Sequence, residues 1–131
     1  MKKDTRAWVR KAEKDYQAAA QLAEGRGSFP DQLCFLCQQA SEKYLKALLH
    51  ERGHVVPRTH DCERLVNLLA PTDPTLAHLK RSAKGLTRFA VDPRYPNLFD
   101  TPDASRARTA WNGAERIRAE VRHRLGLRPR P

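Results

Sequence analysis

The sequence predicts an all-α protein, an up-and-down bundle of four to five helices. Apolar residues recur at three- and four-residue steps in separate segments, and no run alternates with a period of two for long enough to form a strand. Glycine and proline clusters fall between these segments, where they punctuate helices rather than interrupt them. At 131 residues the chain has the length of one domain, and it carries no internal repeat.

From Thr5 to Glu24, the residues Trp8, Ala12, Tyr16, Ala19, Ala20 and Ala23 keep helical spacing with Lys and Arg between them, which predicts a first amphipathic helix. Gly25-Arg26-Gly27-Ser28 ends it, and Pro30 suits the first turn of the next helix. That second helix is expected over about Pro30 to Arg52. Its apolar stripe, from Leu33, Cys34, Leu36 and Cys37 through Tyr44, Leu45, Leu48 and Leu49, is wide enough to face both a core and a second subunit, and Gly53 stops it. A short third helix follows over about His60 to Ala70, burying Leu65, Val66, Leu68 and Leu69. Asp73-Pro74 reads as a start signal, with the Asp oxygen capping free amides, for a fourth helix from Pro74 to Ala90. Three prolines between Val91 and Asp103 predict an ordered loop, and a last helix from about Ala104 to Leu125 stops at Gly126. The domain is thus a bundle over residues 1–126, with a basic frayed tail at 127–131.

Charge narrows the function. Lys and Arg number 25 against 15 acids, a net charge of +10, so polyanions or an acidic partner protein are the expected contacts. No apolar window reaches the length of a membrane span, and the opening Met1-Lys2-Lys3-Asp4 leads into charged sequence with no signal core, so a cytoplasmic location is expected. Three cysteines, an odd count, argue for reduced thiols. Cys34 and Cys37 share a helix face, and His60 with Cys62 would complete four zinc ligands. Both cysteines sit in an apolar stripe, however, and two ligand pairs within helices are unlike a zinc knuckle, so neither metal nor any other cofactor is expected.

The most distinctive segment is Cys34-Phe35-Leu36-Cys37-Gln38-Gln39-Ala40-Ser41-Glu42-Lys43-Tyr44-Leu45-Lys46-Ala47-Leu48-Leu49. Its pattern C-F-x-x-Q-Q-A-x-E-K-x-L-K-A-L-L resembles the second helix of HEPN-domain proteins, small helical bundles of bacteria and archaea. Trp8 near the chain start, His60-Asp61-x-x-x-Leu65 and Arg94-Tyr95-Pro96 fall where the resemblance expects them. It implies a two-fold homodimer, often encoded beside a minimal nucleotidyltransferase as a toxin-antitoxin-like pair, with nucleotide or RNA as a further ligand. It also implies, for many members, metal-independent ribonuclease activity from an Arg followed after four to six residues by His near the end of the penultimate helix.

Here the corresponding stretch, Arg88 to Tyr95, holds arginines and a tyrosine but no histidine, so the family's proton shuttle is missing at that place. Arg118 and His123 match the spacing elsewhere. Six arginines lie between Arg116 and Arg130, though, so such a spacing is close to expected by chance, and a solvated basic helix end complementing the dipole is the better account of the match. His60 either caps the third helix or faces a groove shared with Arg58 and Lys43 or Lys46. Gln38, Gln39, Glu42 and Lys43 mark either a seam between helices or subunits, or a solvated face. Arg94 and Tyr95 either bind phosphate or anchor their loop. The expectation is a binding module, with Arg88, Arg94, Tyr95, His60 and Lys43 serving binding. In this reading neither His123 nor His60 acts as a general base, and purified protein leaves RNA intact. The alternatives are a ribonuclease using Arg118 and His123, or a plain nucleic-acid-binding bundle.

The width of the second helix's apolar stripe makes oligomeric state the first test of this reading. Light scattering at tens of micromolar is expected to report about twice the 15.0 kDa chain mass, and a clean monomer would contradict the dimer.

Overall fold

A computed structural model describes residues 1–90 and 102–129. Its helices are α1 (Lys3–Glu24), α2 (Pro30–Glu51), α3 (Cys62–Leu69), α4 (Lys80–Thr87) and α5 (Ala104–Arg124), with a 3-10 segment over Pro74–Leu79 leading into α4. No strand occurs among the described residues. The Val91–Asp103 loop expected from the prolines falls largely outside them, as do Arg94 and Tyr95.

The helix ends follow from local chemistry. Gly53 and Gly126 both adopt positive φ (79° and 71°), which a side chain resists. After α2, the Gly53 amide donates to the His50 carbonyl at 3.0 Å and the His54 amide to Leu49 at 3.0 Å. After α5, Gly126 donates to His123 at 3.1 Å and Leu127 to Arg122 at 2.9 Å. Each pair is the Schellman closure that satisfies orphan carbonyls. Asp61 caps α3 by accepting from the Arg64 amide at 3.1 Å, and Asp103 caps α5 by accepting from Arg106 at 2.8 Å.

The expected continuous helix from Pro74 to Ala90 is instead two pieces, and it ends at Thr87. Asp73 makes no side-chain cap. Its carboxylate is taken by Arg52 (2.9 Å), Arg124 (2.8 Å) and Thr75, so it pins α5 to the end of α2 rather than opening a regular helix. Leu76 and Leu79, three apart, are both fully buried, the spacing a 3-10 turn aligns. Leu68, expected inside α3, is 37% exposed because its neighbours Leu65, Val66 and Leu69 already cover the core-facing side.

α2 is the central element, with twelve of its residues buried. α1 runs antiparallel to it: the Lys2 amide and Thr5 hydroxyl both donate to Glu51 at 2.9 Å, while Lys43 pairs with Asp15 further along. α5 runs antiparallel to α1, with Trp111 stacked on Tyr16 at a centroid distance of 4.9 Å and Arg118 bound to Glu13. Tyr44, Leu45, Leu48, Leu65, Leu79, Leu86 and Ile117 fill the space between the helices.

One half-buried carboxylate joins three helices. Glu13 accepts from Arg118 Nε at 3.0 Å and Nη2 at 2.7 Å, from Gln17 at 2.8 Å, and from the Tyr44 hydroxyl. Burial alone would raise its pKa, but the hydrogen bonds from Arg118, Tyr44 and Gln17 outweigh it and bring it down from 4.5 to about 2. Its stabilisation is therefore complete above about pH 4.5 and is lost as pH falls from there towards 2. Denaturant unfolding at pH 5 and pH 2.5 is expected to show a loss of which about 2 kcal/mol comes from Glu13 after solvent screening. Glu13→Gln should be less stable at pH 5 and lose less between the two pH values than the parent; an identical loss would contradict the assignment.

Candidate nucleic-acid interface

Antiparallel packing of α4 on α5 leaves a groove of about 540 Å3 between them. On α4, Arg81 and Arg88 lie seven residues apart, two turns, and so share a face. Thr109, Asn112, Gly113 and Arg116 recur at helical spacing on α5, and Arg106 with Ser105 extends that wall towards the helix start. Four arginines, two serines, a threonine and an asparagine line the groove, and among the described residues no Asp or Glu does. None of the four arginines forms an ion pair with a described residue. Arg88 lies 5.5 Å from the Phe89 ring centroid, which gives one end of the groove a flat apolar surface beside a guanidinium.

Two glycines shape the floor. A Cβ on Gly113 would sit 3.4 Å from Ser82 Cβ and 3.7 Å from Leu86, ordinary van der Waals distances that mark where the two helices lie against each other. A Cβ on Gly85 would meet nothing within 4 Å, because that position opens into the groove.

A second polar cluster lies on α2. Glu42 is buried, and its Oε1 meets His60 Nδ1 at 2.8 Å and accepts from Gln38 Nε2 at 3.0 Å, while its Oε2 accepts from Lys46 Nζ at 2.9 Å. Burial raises the Glu42 carboxyl, but the bonds from Lys46, His60 and Gln38 prevail and hold it below the ordinary range. Lys46 also lies 5.6 Å from the Trp8 ring centroid, which closes the cluster on the α1 side. Of the two readings of these α2 polar residues, Gln38 and Glu42 therefore belong to a seam between helices.

The residues singled out from sequence do not form one site. Arg88 lies in the α4–α5 groove. His60 joins Glu42 rather than Lys43, which points to Asp15 on α1. Arg118 is nearly buried against Glu13, with its guanidinium 4.2 Å from the Tyr16 ring centroid, whereas His123 is exposed in the last turn of α5. The cysteines are buried, and burial pushes the thiols up, Cys34 to about 11 and Cys37 and Cys62 further, which leaves little thiolate for chemistry. Among the described residues no group of three or more His, Cys, Asp or Glu side chains is placed to hold a metal, and no helix is long and apolar enough to cross a membrane. Sequence reasoning missed Arg81 and Arg106 altogether. The available signal was the two-turn spacing of Arg81 and Arg88 and the absence of acids from the facing stripe of α5.

The described residues thus form an all-helical bundle with an arginine-lined groove between its last two helices. The model of the HEPN domain family matches residues 5–124, and the chain belongs to that family. Among solved structures it is similar to TT1696 from Thermus thermophilus, at 28% identity and a TM-score of 0.74 over 91% of this chain and 96% of the other. It is also similar to ST0689, an archaeal HEPN homologue, at 27% identity and a TM-score of 0.70 over 95% and 99% of the two chains. The search of curated proteins found no match.

Proposed function

We propose that this chain is the HEPN component of a two-gene, toxin-antitoxin-like system, a homodimer that binds a minimal nucleotidyltransferase protein and holds RNA or a nucleotide in its α4–α5 groove. The observation that carries the binding reading is the groove itself. Arg81, Arg88, Arg106 and Arg116 converge on it with no carboxylate among its described lining residues, and their mutual repulsion favours an anion there. Guanidinium groups bind phosphate oxygens in a bidentate fashion, and the serine, threonine and asparagine side chains add neutral donors. Phe89 offers a surface on which a base stacks. The homodimer and the nucleotidyltransferase partner rest on family membership alone, since the apolar stripe of α2 expected to reach a second subunit is already covered within the single chain.

The alternative, a metal-independent ribonuclease built on Arg118 and His123, has less support. Arg118 spends its donors on Glu13, and removing it from that carboxylate would strand a buried charge.

Fluorescence anisotropy with a labelled single-stranded RNA across a salt series tests the groove. Affinity is expected to fall linearly in log–log coordinates with salt, and replacing Arg106 and Arg116 together by Ala should reduce the slope by about 2. Gly85→Leu, which fills the groove without changing charge, should also weaken binding. Unchanged affinity in both variants would show that the RNA lies elsewhere on the basic surface.

A further inference from the structure

A second cleft, on a neighbouring face of α5, has the opposite charge balance to the α4–α5 groove. It lies where the last turn of α1 and the linker before α2 meet the first half of α5, and it encloses about 480 Å3. Two of its three described charged side chains are acids: Glu24 at the end of α1 and Glu115, one turn after Trp111 on α5, against Arg108. All three are exposed, and none forms an ion pair with a described residue. In a chain of net charge +10, an acid-rich cleft selects a cation.

The rest of the cleft is apolar and held in place. Trp111 stacks on Tyr16 at 4.9 Å, which fixes the plane of its ring. Phe29, 51% exposed, folds its ring back over the linker because residue 27 is glycine: a Cβ there would collide with Phe29 Cε2. Pro30 and Leu33 continue the wall along the first turn of α2. Aromatic rings beside carboxylates are what a basic, proline-rich segment docks on. Its polyproline backbone lies on the rings at little ordering cost, and each guanidinium stacks on a ring while donating to a carboxylate.

This chain carries such a segment, Arg128-Pro129-Arg130-Pro131, with two guanidinium groups for the two carboxylates. Its backbone falls short of the cleft in its own copy. Arg122 Nη2 donates to the Arg128 carbonyl at 3.0 Å and holds residue 128 beside the end of α5. Three residues beyond it span at most about 11 Å, whereas Trp111 lies about 16 Å back along the helix from Arg122. We infer that the cleft between the α1–α2 linker and α5 is a docking site for the Arg128–Pro131 segment of a second copy of this chain, its prolines against Phe29 and Trp111 and its guanidinium groups against Glu24 and Glu115. The residues that carry this contact do not line the α4–α5 groove, so it stands or falls apart from the groove reading.

The test is a titration, followed by anisotropy, of a labelled Leu-Arg-Pro-Arg-Pro peptide with both ends blocked. Salt at about 0.15 M sets a Debye length of about 8 Å, which suppresses the overall repulsion between peptide and basic chain. The receptor is the full chain carrying Arg128→Ser and Arg130→Ser, which removes the charges of its own segment and keeps the carbonyl that Arg122 holds. Saturable binding is expected. Glu24→Gln or Glu115→Gln in that receptor should each weaken it about tenfold, the factor one charge-assisted hydrogen bond supplies. Phe29→Ala, at an exposed position, should weaken it as well. The parent chain should bind the peptide less well than the Arg128→Ser, Arg130→Ser receptor, increasingly so as its concentration rises and neighbouring copies fill the cleft. Absence of saturable binding, or an affinity unchanged in Glu24→Gln, Glu115→Gln and Phe29→Ala, would overturn the inference. Equal binding by the parent and the receptor at every concentration would also overturn it, and would assign the cleft to a basic, proline-rich segment of another protein.

Discussion

The fold turns on the Glu13 carboxylate. The buried face of α1 is narrow, Thr5, Ala12 and Ala19 beside Tyr16, and such small side chains specify register weakly. Glu13 removes that freedom. It receives the fork of Arg118 from α5 and the hydroxyl of Tyr44 from α2, so displacing α1 by one turn would break a carboxylate's bonds to a buried guanidinium and a buried phenol. The stacking of Tyr16 on Trp111, and of the Arg118 guanidinium over Tyr16, closes the same junction from the aromatic side. The polar junction therefore sets the register of three helices, while the leucines around it supply most of the driving force.

With α5 fixed against α1 and α2, the remaining elements are placed by a second set of charges. Asp73 ties the loop before α4 to Arg52 at the end of α2 and Arg124 at the end of α5, and its pKa is held well below the carboxylate range by Thr75, Arg52 and Arg124. Gln38 and Glu42 tie the start of α3 to α2. α4 then packs along α5 where Ser82 and Leu86 lie beside Gly113, and the arginines flanking that line face a shared groove. The groove is thus a consequence of the register, although it contains none of the residues that set it.

The sequence made the helices legible because their apolar spacing is regular and because Gly53 and Gly126 stand where left-handed backbone is needed. It misled where a residue's partner lies far along the chain. Asp73 beside Pro74 reads as a helix cap until Arg52 and Arg124 claim its carboxylate. Arg118 and His123 have a suggestive spacing, yet the partner that decides the role of Arg118 is Glu13, 105 residues earlier. The groove was half visible, through Arg88, because its two walls converge only when α4 and α5 pack antiparallel. His60 was visible as a residue worth weighing, but its orientation depends on Glu42, a contact across 18 residues that no local pattern announces. The family resemblance came from α2, whose polar residues Gln38, Glu42 and Lys46 repeat every four residues along one buried face.

A double-mutant cycle between Glu13 and Arg118 measures the coupling on which the register of the bundle depends. Glu13→Gln, Arg118→Met and the combined variant would be compared with the parent by denaturant unfolding at pH 7, where the carboxylate is ionised. The expected coupling is about 2 kcal/mol, with the double variant more stable than the sum of the single losses implies, because removing both partners leaves no stranded charge. Additivity within about 0.5 kcal/mol would contradict the claim that this pair sets the register of the bundle.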